Sequence, residues 1–188
     1  TSGPRIAVRT YGGLNLSPML LETPDFPESI ETQAVPMGGE IRGAGLGDRF
    51  SLAIEAQADP KSGYLDRIQV VKGWIDATGE AQERVYDAAW SGDDRLLSDG
   101  SLAAVGSSVD LKTGLTANSI GSPRLNVVWQ DPEFDSAQSA FYYVRVLQIP
   151  TARHSLLDKL ALGDEDIDTR RPDAIQERAY TSPIWYRP

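Results

Sequence analysis

The chain reads as an all-β fold, an antiparallel sandwich of about seven to eight strands with one short helix. Three observations carry that reading. Apolar residues recur at every second position in several short runs, Gly, Pro and Asp clusters separate those runs, and no strand alternates with a helix of matching length. At 188 residues the chain can bury one substantial core, so 1–188 is read as a single domain.

The first run, Ile6-Ala7-Val8-Arg9-Thr10-Tyr11, alternates and is expected to stop in a turn at Gly12-Gly13. Residues 14–47 are then broken by Pro18, Pro24, Pro27 and Pro36 and by five glycines from Gly38 to Gly47. They read as a long irregular excursion, with short helical turns within Leu16 to Leu21 or Phe26 to Thr32. In Arg49 to Ala58, the side chains of Phe50, Leu52, Ile54, Ala56 and Ala58 share one face, which predicts a half-buried strand. Leu65 to Asp76 follows, with Ile68, Val70 and Trp74 as its apolar points and Gly73 as a candidate bulge. Ala77-Thr78-Gly79 turns the chain into Glu83 to Ser91, and the two runs make a hairpin.

Residues 92–106 are polar and glycine-bearing, and a weak strand is expected near Val109 to Leu111. Arg124 to Asp131 is a strand stopped by Pro132, and Phe141 to Ile149 is one stopped by Pro150. The best helix begins at His154 and runs to Leu162, with Leu156, Leu157 and Leu160 on one face and Gly163 as its C-terminal cap. This helix sits in a crossover, 150–172, that interrupts two pairable strands. The second of them is the aromatic-rich closing run Arg178 to Tyr186.

Composition excludes several functions. A net charge of −9 opposes the phosphate neutralisation on which nucleic-acid affinity rests, so no nucleic-acid partner is expected. No apolar run is long enough to predict a membrane-spanning helix. With no cysteine the chain has no disulfide, thiolate metal site or cysteine nucleophile, and the compartment stays open, with a periplasmic or secreted location favoured. His154 is the lone histidine, so a site built on several histidines cannot lie here, and no Gly-x-Ser-x-Gly turn is present. Asp164, Glu165, Asp166 and Asp168, with Asp93 and Asp94, supply hard oxygen donors but lack the spacing of a calcium loop, and they read as solvated surface. The chain is therefore expected to carry no catalytic residue and no cofactor. His154, Leu156, Leu157, Trp74 and Trp90 are the candidates for interface or ligand contacts. Trp74, Trp90, Trp129 and Trp185 all fall on expected strands, where core packing or an exposed aromatic face would each account for them.

Three segments carry a resemblance: Leu65 to Trp74, Val85-Tyr86-Asp87-Ala88-Ala89-Trp90-Ser91, and Ile175 to Tyr186 with its Tyr180-Thr181-Ser182-Pro183-Ile184-Trp185-Tyr186 ending. Together with Thr1-Ser2-Gly3-Pro4-Arg5-Ile6, these resemble the C-terminal region of a bacterial protein family of unknown function. That family is similar to the polymerase-and-histidinol-phosphatase (PHP) superfamily of metal-dependent hydrolases, including carbaryl-hydrolase-like esterases. The resemblance implies that the divalent-metal ligands lie upstream of the matched segment and that no residue of this chain inherits a ligand role. It further implies a C-terminal fragment of a longer chain, an accessory β-sandwich whose partner is its own upstream catalytic domain, with homo-oligomerisation a further expectation. The alternative is an independent binding module for carbohydrate or protein that uses aromatic residues on a sheet face.

Overall fold

The computed structural model describes residues 1–22, 26, 29–163 and 171–188. Two sheets face each other across a shared core, as the alternation predicts. The first has the order β2-β1-β4-β7, built from β1 (Ala7–Leu14), β2 (Val35–Pro36), β4 (Phe50–Gln57) and β7 (Arg124–Gln130). The second has the order β3-β12-β8-β5-β6, from β3 (Glu40–Arg42), β5 (Leu65–Ile75), β6 (Ala81–Trp90), β8 (Ala140–Gln148) and β12 (Ile184–Arg187). A sixth strand, β11 (Arg178–Tyr180), also pairs with β8, and β9 (Thr151–Ala152) with β10 (Ala174–Ile175) forms a small separate ladder. The pairing is antiparallel except between β12 and β3, which run parallel. The core is made by the inward residues of both sheets, among them Phe50, Leu52 and Ile54 from β4, Ile68 and Val70 from β5, and Tyr142, Val144 and Val146 from β8. Phe50 and Tyr142 stack across the gap with ring centroids 3.9 Å apart.

Several local expectations are corrected. Gly12 and Gly13 do not end β1. The strand runs on to Leu14, and Gly12 is needed because a methyl group there would come within 2.9 Å of Ile184 on the opposite sheet. The excursion 14–47 contains a 3-10 turn at Pro18–Glu22 and the two short strands β2 and β3. Its buried Leu16 and Ile30 pack with Ala53 on the outer face of the first sheet. That packing is why β4 is buried on both faces rather than half-buried. Gly73 is no bulge: the register shifts lie between Leu65 and Arg67 and between Ile68 and Gln69. The expected strand at Val109 to Leu111 is reduced to one bridge, Val109 to Thr116. The closing run is split into β11 and β12 around Pro183, and the short added strands raise the strand count above the expected seven or eight.

The helix α1 (His154–Leu162) forms as its spacing predicts, and Gly163 caps it with φ 63°, the left-handed conformation that glycine adopts without a Cβ clash.

Candidate functional site

Alternation on β5 and β8 places two sets of side chains outside the second sheet: Gln69, Val71, Gly73 and Ile75, and Phe141, Tyr143, Arg145 and Leu147. An antiparallel sheet with one solvated face ordinarily turns polar residues outward. This one turns out Val71, Ile75, Val85, Phe141, Tyr143 and Trp185. Registers set them in rows, with Gly73 opposite Phe141 and Phe141 opposite Trp185, then Val85 opposite Val71 and Val71 opposite Tyr143. Because Gly73 has no side chain, the Phe141 ring lies against the strand, with its Cζ 2.2 Å from where a Cβ would stand. Trp185 meets Phe141 with centroids 5.4 Å apart at 50° and is 43% exposed. An open groove of about 540 Å³ runs over this row, bounded by Ile75, Ala81, Glu83, Ser139 and Arg187. Beside it, a polar chain crosses the sheet: Arg145 donates to Gln69 at 2.8 Å, Gln69 to Asp87 at 2.8 Å, and Arg67 to Asp87 at 3.4 Å.

A second cluster lies inside one end of the sandwich. Lys72 is 4% exposed and Asp131 fully buried, with Lys72 Nζ 2.6 Å from Asp131 Oδ2. The Tyr142 hydroxyl donates to the same oxygen at 2.7 Å, and Lys72 donates to the Glu133 carbonyl at 2.8 Å. Trp74 and Tyr142 place their rings 5.3 and 5.7 Å from the ammonium. Burial first, then the Asp131 charge beside it, pushes the Tyr142 phenol well above its ordinary value. Tyr86 is pushed up to about 12, again by burial first and then by its hydrogen bond to Glu133. Glu133 is held below the usual carboxylate range by the Tyr86 hydroxyl first and then by Arg84. This cluster ties β5 and β8 to the segment after β7. Lys72, Asp131 and Tyr142 do not line the groove, so the chemistry of their contact is that of a clamp.

A third group is the fully buried Asp66, which lies 3.0 Å from Arg67 Nε and 2.7 Å from Arg95 Nη2 and accepts from Gln176 Nε2 at 2.9 Å. Arg95 also donates to the Ser91 and Ala103 carbonyls, so one carboxylate fastens the 92–106 loop and the approach to β11.

The fourth feature is aliphatic. Leu157 and Leu160 of α1 lie over Gly114 in the 110–116 turn, beside Leu111 and Leu115, and Leu162 extends the same helix. All five leucines are exposed, Leu115 to 71%.

The candidates drawn from the sequence do not converge. Trp74 is half-buried over Lys72 and touches the groove, and Trp90 is half-buried at the far end of β6. Leu156 is buried beneath α1 and presents no interface, a correction that follows from its position on the inward face of the helix. Leu157 does stand in the leucine face. His154 is exposed, with its Nε2 4.0 Å from Asp158 one turn on. The acidic stretch Asp164, Glu165, Asp166 and Asp168 lies outside the described residues. Among the described residues no three His, Asp or Glu side chains converge in a way that fits a metal ion. Sequence reasoning missed Phe141 and Trp185 as a pair. Their signal was present in the aromatics at 141 and 143, which alternate with the core positions 142 and 144.

No helix among the described residues is long and apolar enough to cross a membrane. No curated protein and no solved structure matches the chain. One family does match, over residues 1–188, and the chain belongs to it: the family described as protein of unknown function, DUF3604.

Proposed function

We propose, taking membership of that family as the premise, that this is a non-catalytic accessory β-sandwich of a larger metal-dependent hydrolase related to the PHP superfamily, docked on its catalytic domain through the leucine face. The observation that carries the reading is the meeting of α1 with the 110–116 turn, which gathers Leu111, Leu115, Leu157 and Leu160 at the surface. Leucines offer apolar area without hydrogen-bonding or ring faces, which suits a close-packed protein contact more than a small polar ligand. The exposed part of the crossover 150–172 thus becomes the docking element, and metal chemistry belongs to the partner domain.

The test is made on the whole protein. Its reading frame should encode a histidine-rich segment that binds divalent metal. Leu157→Asp with Leu160→Asp should then speed amide exchange in α1 and weaken domain contact by about 2 kcal/mol or more, the loss expected of central interface side chains. A frame without a metal-binding segment, or unchanged exchange in the double variant, refutes the reading.

A further inference from the structure

We infer that the outer face of the second sheet is a binding site for a neutral carbohydrate, stacked on Phe141 and Trp185 and held at its hydroxyls by Glu83 on one flank and Arg187 on the other. This site is separate from the leucine face and stands whether or not the domain serves a hydrolase.

The two sheets are treated differently by the chain. The outer face of the first is covered by its own residues, with Leu16 and Ile30 buried against Ala53. Among the described residues no comparable segment covers the row from Gly73 to Trp185 on the outer face of the second, and that row carries two aromatic rings. The contact of Phe141 with Gly73 has a purely structural account, since an aromatic laid across a strand glycine shields the bare backbone. That account ends at Phe141. It leaves Trp185 beside it, 43% exposed and tilted at 50°, forming the second wall of an open groove of about 540 Å³. This volume lies in the range of small-ligand sites, which pair aromatic walls with a few placed polar groups.

Those polar groups select the ligand. Glu83 lies opposite Gly73 on β6. Among the described residues its carboxylate takes no hydrogen bond or ion pair, so its lone pairs are available. At the other flank Arg187 is held by Glu40, with Nε 2.8 Å from Oε2. The unpaired Glu83 opposes an anion, and Arg187, whose charge Glu40 already balances, adds no free positive charge to draw one in. A sugar is opposed by neither, because its hydroxyls donate to a carboxylate, accept from a guanidinium and leave its C–H faces for the rings. The frame is rigid, since every contributing residue sits on β5, β6, β8 or β12 or just before β8.

Isothermal titration of the full-length protein with cellohexaose, xylohexaose, mannohexaose and maltohexaose tests the site, with hexagalacturonate as the anionic comparison. At least one neutral oligosaccharide should bind in the millimolar range or tighter, hexagalacturonate more weakly, and Trp185→Ala should weaken binding about tenfold or more. Glu83→Gln, at an exposed position whose carboxylate makes no hydrogen bond or ion pair among the described residues, should weaken it several-fold while leaving the thermal melt unchanged, which separates lost binding from lost folding. No heat with any neutral probe at millimolar concentration overturns the proposal. So does stronger binding of hexagalacturonate, or binding that neither variant alters. Acrylamide quenching that finds Trp185 shielded in the full-length protein would assign the face to protein contact instead and overturn it as well.

Discussion

Replacing Asp131 by Asn keeps the size of the side chain and removes its charge, which isolates the worth of the buried pair. Lys72, 4% exposed, would keep its bond to the Glu133 carbonyl and its two ring neighbours but lose its counter-ion at 2.6 Å. Removing one partner of a buried pair costs about 3–5 kcal/mol. The retained carbonyl and ring contacts point to the lower end, about 3 kcal/mol. For a chain of this size that corresponds to a fall in Tm of about 6–12 °C. The assay is urea and thermal unfolding followed by tryptophan fluorescence. Lys72→Met added to Asp131→Asn should recover most of the loss, because the stranded ammonium is gone while the Asn oxygen can still accept from Tyr142. A single-variant cost below about 1 kcal/mol, or a double variant as unstable as the sum of its parts, would refute the clamp.

Alkaline unfolding should be steep. The Tyr142 and Tyr86 phenols are raised in the folded state, so the stability they contribute is present below about pH 10, the unfolded value, and is lost as pH rises, for Tyr86 through about 12. Tyr142→Phe should lessen that slope by about 1.4 kcal/mol per pH unit above pH 10, measured by urea titration at each pH. At the acid end, Asp76 is lowered to about 2, first by the Thr78 hydroxyl and then by the Glu80 amide, so its contribution holds above its ordinary carboxylate value and fades as pH falls through about 2. Asp76→Ala should therefore flatten the acid limb of the stability profile and loosen the β5–β6 turn, read by amide exchange. Gly12→Ala drives a methyl group against Ile184 at 2.9 Å and Ile41 at 3.3 Å, and chemical denaturation should show a loss of about 1–3 kcal/mol.

The strands of the core were legible in the sequence because period-two alternation reports burial directly. Phe50, Leu52, Ile54 and Ala56, and Tyr142, Val144 and Val146, stand where their spacing puts them. The helix was legible from its leucines and its capping glycine. Burial on a second face was not: Ala53 and Ile30 meet through a connection whose path no local pattern sets. The same limit hid the meeting of Asp66, Arg95 and Gln176, polar residues from three segments that no local pattern joins. Gly12 and Gly73 were read as turn and bulge, since a glycine looks alike in sequence whether it bends the chain or makes room for a neighbour. Of the groove, the outward aromatics Phe141 and Tyr143 were visible as a pattern. The register that sets Trp185 beside Phe141 was not.

The position of β12 has a consequence for biogenesis. Residues 184–187 fill an interior slot, pairing with β3 on one side and β8 on the other, although β3 lies near residue 41. A nascent chain on the ribosome cannot close that slot until this strand has left the exit tunnel. Until then the edges of β3 and β8 offer unpaired amides and carbonyls to any extended segment nearby. Contacts this far apart in sequence also slow the search for the native state. A ribosome stalled before residue 184 should accordingly display a protease-sensitive domain that becomes resistant once β12 has emerged.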